Sequence, residues 1–273
     1  MAAPTIPALP AVHEFAAPPA WSRIDFISDL HLAPDTPRTS EAWASYLLAT
    51  PADAVFILGD LFDAWIGDDS RHHGFEAPCA QVLAQAAARC HIAFMVGNRD
   101  FLVGAEMLAA CGVSALPDPT VLLAFGQRVL LSHGDALCLS DIAYQHYRAQ
   151  VRSAQWQAAA LALPLDERRQ LAARMRHASE QRHADGAGFP ASVDIDPAAA
   201  LAWMHQAAAP VLVHGHTHQP ASASLAPGQL RHVLSDWDLD HSAARPRAEV
   251  LRLTCAGFTR LPLALAVQAS PAA

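Results

Sequence analysis

Five short apolar runs in this 273-residue chain each end in side chains that hold metal ions. Phe26-Ile27-Ser28 is followed by Asp29 and His31, and Ala54–Leu58 runs into Gly59-Asp60. Ile92–Val96 leads to Gly97-Asn98-Arg99-Asp100, Ser132 to His133-Gly134-Asp135, and Val211–Val213 to His214-Gly215-His216-Thr217-His218. Each motif alone is an ordinary polar strand end. Five recurrences imply a metal centre, because open α/β sheets place ligands at the carboxyl ends of their strands. Asp29, His31, Asp60, Asn98, His133, His216 and His218 exceed the three or four donors that one zinc site needs, so the arithmetic favours two ions. A carboxylate has two oxygens, which makes Asp60 the natural shared ligand. Imidazole, carboxylate and amide oxygen without sulfur favour Mn²⁺, with Fe²⁺ or Zn²⁺ as alternatives. Two such cations roughly 3.5–4 Å apart activate water and clamp a phosphoryl group, so the chemistry expected is hydrolysis of a phosphate ester or anhydride.

The elements that must carry these side chains read as an α/β alternation. Strands are expected near 23–28, 54–58, 92–96, 120–125, 128–132, 210–214, 231–235 and 248–254, and helices near 38–49, 76–89, 104–111 and 196–208. Phe125-Gly126-Gln127 reads as a hairpin turn. The stretch 141–185 breaks the alternation and reads as two or three helices around Pro164. With seven arginines against five acids it is net +2, leaving −10 elsewhere in a chain of net −8. An inserted helical cap with a mildly basic face is expected there, a solvated helical hairpin being the alternative.

All 18 basic residues are arginine, and lysine is absent. The acidic balance excludes a general nucleic-acid binder, which needs a basic field. Five cysteines without a Cys-x-x-Cys pair fit neither a disulfide framework nor a zinc ribbon, which suits a reducing cytoplasm. No segment reaches the ~18 apolar residues of a membrane span, and the start lacks a signal-peptide pattern. Residues 1–20, rich in Ala and Pro, and 263–273 read as tails around a domain over 21–262.

The ordered set Asp29-x-His31, Gly59-Asp60, Gly97-Asn98, His133 and Gly215-His216-x-His218 resembles the calcineurin-like metallophosphoesterases over about residues 23–262. The resemblance implies a β-sandwich flanked by helices in αββα layers. It also implies one metal at Asp29, His31, Asp60 and His218 and another at Asp60, Asn98, His133 and His216. Many members have His where Arg99 stands. Arg99, the run Leu61–Asp69, His133–Cys138, Gly215–Pro220, Asp141, Tyr144, Ala162–Leu165, Ala173–Arg176 and Asp236-Trp237 resemble the UDP-2,3-diacylglucosamine pyrophosphatases of lipid A biosynthesis. That family implies hydrolysis of UDP-2,3-diacylglucosamine to 2,3-diacylglucosamine 1-phosphate and UMP by metal-activated water at the α-phosphorus. It further implies Asp60, Asn98, Arg99 and His216 as catalytic residues. Asn98, Arg99, Asp141, Ser179, His183 and His216 are implied as substrate contacts, and peripheral attachment to the cytoplasmic face of the inner membrane is implied as well.

The family commonly places an Asn and then a Lys in the cap, where this chain has His183 and about Gly186. Arg176 or Arg182 is expected to supply the missing cation to the sugar phosphate. Trp156, Leu161, Leu163, Leu165 and Leu171 are candidates for an acyl trough, with packing between cap helices as the alternative. A mildly basic cap would lean on anionic headgroups. Asp63, Asp68, Asp69 and Asp135 are expected to orient ligands or cap turns, and His214 to stand behind the ligands. No obligate protein partner is evident. The alternative function is hydrolysis of a soluble nucleotide pyrophosphate or cyclic nucleotide, which needs no basic, apolar cap.

Overall fold

The computed structural model describes residues 7–184, 194–241 and 246–268, with the side chains of 178–184 outside the described part. Its strands in chain order are β1 (His13–Ala16), β2 (Ile24–Ile27), β3 (Ala54–Leu58), β4 (His91–Met95), β5 (Ser114–Ala115) and β6 (Thr120–Ala124). They continue with β7 (Gln127–Ser132), β8 (Val211–His214), β9 (Ala221–Ala226), β10 (Gln229–Val233), β11 (Glu249–Thr254) and β12 (Gly257–Pro262). The helices are α1 (Pro37–Ala49), α2 (Glu76–Ala87), α3 (Ala105–Cys111), α4 (Ile142–Val151), α5 (Ala154–Leu161), α6 (Leu165–Ala184), α7 (Pro197–Gln206) and α8 (Leu263–Ala266).

Two six-stranded mixed sheets, ordered β12-β11-β2-β3-β4-β5 and β1-β6-β7-β8-β10-β9, stack between helical layers. The reason is visible in β3, which is apolar and buried on both faces. Val55 and Ile57 join Trp43, Tyr46, Leu83 and Met107 in the layer beneath α1–α3. Their alternates Phe56 and Leu58 meet Leu122, Val129, Leu131 and Val213 of the other sheet. On the far side of that sheet Val121, Leu130 and Leu212 pack against Trp203 and Met204 of α7. The αββα layering that the family resemblance implies is therefore the observed architecture.

Parallel pairing sets the position of the site. Strands β2, β3 and β4 run parallel in one sheet, and β7, β8 and β10 in the other. Each set delivers its carboxyl ends to one edge. The eight expected strands are all present. The four that were not expected carry weak apolar signals: β5 has two residues, and β9 is the small, exposed edge run Ala-Ser-Ala-Ser-Leu-Ala.

The ends of the chain are a correction. Part of the expected tail 1–20 forms β1, which pairs parallel with β6, His13 opposite Thr120. Phe15 anchors it, its ring 5.4 Å from Phe56 and 5.9 Å from Trp21. Likewise α8 lies in the expected tail 263–273, with Ala266 fully buried.

The stretch expected to hold two or three helices is α4–α6, and of its two readings the basic face needs a correction. The buried Arg168 grips both oxygens of Asp69 and donates to the Ile66 and Leu163 carbonyls at 2.6 and 2.9 Å. Arg176 lies 2.8 Å from Asp63 and 3.7 Å from Asp35. Arg148 pairs with Asp135 at 2.8 Å, and Arg152 donates to the Gly97 carbonyl at 2.9 Å. Four of the cap's seven arginines thus face the body of the protein, because its acids and carbonyls satisfy them there.

Asp25 shows how the sheet and helix layers are fastened. It is fully buried and accepts two bonds from Arg252, at 2.7 and 2.8 Å, one from the Tyr46 hydroxyl at 2.8 Å and one from Thr50 at 3.1 Å. Asp25→Ala strands a buried guanidinium and should lower stability by about 3–5 kcal/mol in urea unfolding, against about 1 kcal/mol for Tyr46→Phe.

Candidate metal centre

The ligand-bearing loops are held against one another by backbone bonds that prolong the sheet. Asp29 N–H donates to the Gly59 carbonyl at 3.1 Å, and Leu30 and His31 N–H to the Asp60 carbonyl at 2.8 and 3.1 Å. Trp237 N–H donates to the Asp29 carbonyl at 3.0 Å. Glycine is required where these loops touch. A Cβ on Gly97 would lie 2.0 Å from Asp60 Oδ1, and one on Gly215 would lie 2.3 Å from Asp29 Oδ2. Asp29, His31, Asp60, His216 and His218 all have φ between 49° and 67°, the left-handed region that non-glycine residues rarely adopt. Such strain collects at functional sites, held there by surrounding structure.

All seven expected donors converge. His31 Nε2 and His218 Nε2 are 3.2 Å apart, and His218 Nε2 is 3.5 Å from Asp29 Oδ1. Asn98 Oδ1 lies 2.9 Å from His133 Nε2 and 2.8 Å from His216 Nδ1. Asp60 sits between the groups, Oδ2 3.9 Å from His31 and Oδ1 3.8 Å from His133. Two triads, Asp29-His31-His218 and Asp29-Asp60-His133, have donor atoms within 4.8 Å of one another. Asp29 therefore takes part in both, while Asp60 turns one oxygen toward each side.

The imidazoles are oriented from behind. His133 Nδ1 is 2.9 Å from the Leu58 carbonyl, which only accepts, so Nδ1 carries the proton and Nε2 faces the site. The buried His214 Nε2 accepts from Arg231 Nε at 2.8 Å, so its Nδ1–H donates to the Gly215 carbonyl at 2.7 Å. It steadies the turn before His216 and is not a donor to the centre.

Charge explains what the cluster requires. Burial pushes the Asp60 carboxyl up to about 7, with Asp100 and Asp29 adding to the rise and His133 opposing it. Burial works against charge on His133 too, but Asp60, Asp135 and Asp29 raise it to about 9. Burial and the charge on His133 push His216 down to about 3. Asp29, despite its burial, is held low by His218, His133 and His31. Buried carboxylates ringed by inward-facing imidazole nitrogens fit divalent cations, whose charge stabilises the ionised acids and whose preference is for this N/O donor set. Asp29, His31 and His218 would hold one ion and Asn98, His133 and His216 a second, with Asp60 between them.

Asp100 is the residue that sequence reasoning missed. Fully buried, it accepts from the backbone N–H of Gly97 at 2.7 Å, Leu61 at 2.8 Å, and Asp60 and Phe62 at 3.3 Å, locking two ligand loops together. Its place at the end of Gly97–Asp100 was the only signal. Arg99 donates its backbone N–H to Asp60 Oδ1 at 2.8 Å, and its charge helps to depress His31. Asp141 caps α4 through Tyr144 N–H at 2.8 Å. Asp68 caps α3, accepting from Gly104 and Met107 N–H at 2.8 Å. Asp236 holds Arg247 at 2.6 Å and faces His218 Nδ1 at 3.9 Å. The side chains of Ser179, Arg182 and His183 lie outside the described residues.

A fold of stacked sheets with this donor set at their joined edge defines a metal-dependent phosphoesterase. The family model for calcineurin-like phosphoesterases matches residues 22–220, and the chain belongs to that family. Within it, the chain is 43% identical over 242 residues to the UDP-2,3-diacylglucosamine hydrolase of Chromobacterium violaceum, covering 88% of this chain and 98% of that one. It is 41% identical over 271 residues to the hydrolase of that name from Ralstonia nicotianae, covering 96% and 98%. The one from Xanthomonas axonopodis pv. citri is 42% identical over 234 residues, covering 82% and 95%. The chain is a hydrolase and a member of this UDP-2,3-diacylglucosamine hydrolase family. Solved structures it resembles include Vacuolar Protein Sorting 29 from Cryptosporidium parvum, with a TM-score of 0.43, 16% identity and 86% of each chain covered.

Because Asp60 titrates near 7 and His133 near 9, cations compete there with protons. Mn²⁺ affinity should fall as pH drops below about 9, where His133 takes up its proton, and more steeply below about 7, where Asp60 does. Calorimetry at pH 7 in two buffers of different ionisation enthalpy should report proton release on binding.

Proposed function

We propose that the chain hydrolyses UDP-2,3-diacylglucosamine to 2,3-diacylglucosamine 1-phosphate and UMP, water attacking the α-phosphorus and the acyl-sugar phosphate departing. The observation that supports this most is that likeness to the hydrolases covers 88–96% of the chain in the two relatives from Chromobacterium and Ralstonia, the helical cap included with the metal-ligand loops. We propose two Mn²⁺ ions as the cofactor, held by the two donor sets that share the Asp60 edge. Bound there, such ions supply Lewis acidity to phosphoryl oxygens and acidity to water.

The chain's own residues do the rest. Arg99 grips the diphosphate, its permanently charged planar fork matching two phosphoryl oxygens where an imidazole would offer one donor. The Asp60 bond to its backbone N–H fixes where that side chain starts. His216, which burial and the charge on His133 keep neutral, places Nδ1 2.8 Å from Asn98 Oδ1, so that this nitrogen stands with Asn98 and His133 toward a shared cation. Asn98 Oδ1 lies within 2.9 Å of a nitrogen of both His133 and His216, which gathers three donors around one point. Asp141, Ser179 and His183 are proposed to contact substrate from the cap.

Acyl chains need an apolar surface that stays open. Trp156, Leu163, Leu165 and Leu171 are half-buried, Leu161 is 44% exposed and Ile142, at the start of α4, is 66% exposed. Trp156 packs on Phe101 at 5.7 Å, which ties that wall to the loop carrying Asn98. Among the described residues no helix is long and apolar enough to cross a membrane. We propose peripheral attachment to the inner membrane, with the exposed apolar residues of the cap carrying more of it than the inward-facing arginines. Arg176 is paired with Asp63 and Asp35, so a substrate phosphate would compete with those acids for it.

Assays should cover UDP-2,3-diacylglucosamine, a plain UDP-sugar, ADP-ribose and a cyclic nucleotide, each with Mn²⁺ and with chelator. Only the lipid with Mn²⁺ should turn over well; cleavage of a soluble nucleotide but not the lipid overturns the proposal. Arg99→Ala should lower kcat/KM by about 100- to 1,000-fold, and Arg99→Lys should recover only part of it. At least one of Arg176→Ala and Arg182→Ala should raise KM by about tenfold. Unchanged kinetics in both would remove arginine as the substitute for the family's lysine.

A further inference from the structure

Helix α4, the first element of the cap, reaches three of the ligand-bearing loops. Asp135 lies two residues beyond His133 and is fully buried. Its Oδ2 accepts from the Tyr144 hydroxyl at 2.7 Å and from Arg148 Nε at 2.8 Å, with Arg152 at 3.8 Å. Its carbonyl accepts from Gln145 Nε2 at 2.8 Å. One turn further along α4, or just past its end, the helix touches the next loop: Arg152 donates to the carbonyl of Gly97, the residue before Asn98, and lies 6.0 Å from the Phe101 ring centroid. Tyr144 completes the set, its ring 5.7 Å from the imidazole of His216. These three loops carry His133, Asn98 and His216. The loop of Asp29 and His31 is held by the backbone of Gly59, Asp60 and Trp237, and meets the His216 loop where His216 N–H donates to Asp29 Oδ2 at 2.9 Å.

We infer that Asp135 is a positioning residue which, through Arg148 and Arg152, makes the docked α4 a structural part of one half of the metal centre. Removing its charge loosens the Asn98-His133-His216 set while sparing Asp29, His31 and His218. The inference rests on the two-ion reading above. It also makes cap docking and occupancy of that half reciprocal: an ion that fixes the three loops favours the docked helix by as much as the docked helix favours the ion.

The test is Mn²⁺ binding to the full chain after chelator treatment, followed by calorimetry and by electron paramagnetic resonance. The latter separates an exchange-coupled pair from an isolated ion. The unaltered protein should take up two equivalents and show the coupled signal. Asp135→Asn should keep one equivalent at unchanged affinity, weaken the other by about 10–100-fold and show the isolated-ion signal at stoichiometric Mn²⁺. Arg152→Ala, which removes the Gly97 contact, should show the same selective loss and decides the matter if Asp135→Asn fails to fold by circular dichroism. Arg169→Ala, whose exposed side chain pairs with Asp166 three residues away, should bind as the unaltered protein does. Two unchanged equivalents in Asp135→Asn and Arg152→Ala overturn the inference, as does equal weakening of both. An unaltered protein that binds a single ion overturns the two-ion reading and the inference with it.

Discussion

Asp29, Asp60 and Asp100 are buried side by side where the two sheets meet. Ionised carboxylates removed from water are costly unless hydrogen-bonded or paired, and near one another they add repulsion to that cost. Asp100 is satisfied by four backbone N–H groups, whereas Asp60 receives one from Arg99 and Asp29 one from His216, which leaves much of their compensation to imidazoles and, in the bound state, to cations. Much of the surrounding structure serves that requirement. The parallel strands bring the acids to one edge, the glycines let the loops touch, His133 is anchored through the nitrogen that the centre does not use, and His214 steadies the turn before His216.

The cap answers a second requirement, attachment without a large apolar interface. Its charges are spent on the body of the protein: Arg148 and Arg152 at the His133 and Asn98 loops, Arg168 on Asp69, and Arg176 on Asp63. A chain without lysine is suited to this, because a guanidinium serves a carboxylate and a carbonyl at once, as Arg168 does. Among the residues left toward solvent on α4 and α5 are two large apolar side chains, Ile142 and Leu161.

The metal ligands and the eight central strands were legible in the sequence because both depend on local signals, apolar runs ending in donor residues. What was not legible depends on distant partners. β9 has no apolar alternation of its own and exists because β10 pairs with it. β1 sits in an Ala/Pro-rich stretch and is specified by where Phe15 lands on Phe56. Asp100 looks like any acid beside an arginine until the loop of Asp60 folds over it. The arginines of 141–185 could be counted but not aimed, since whether a charge faces solvent or an acid of the body is decided by residues 13 to more than 100 positions away.

The left-handed backbone at five of the candidate ligands bears on how this protein could be made hardier. Each such residue costs on the order of 1 kcal/mol, and five together approach the net stability of an ordinary domain. Glycine at those positions would relax the backbone and delete the donor in one step. That reserve of thermal robustness is therefore closed to engineering so long as the enzyme must work, whereas the left-handed Phe125 and Ala208, which are not candidate ligands, remain open to it.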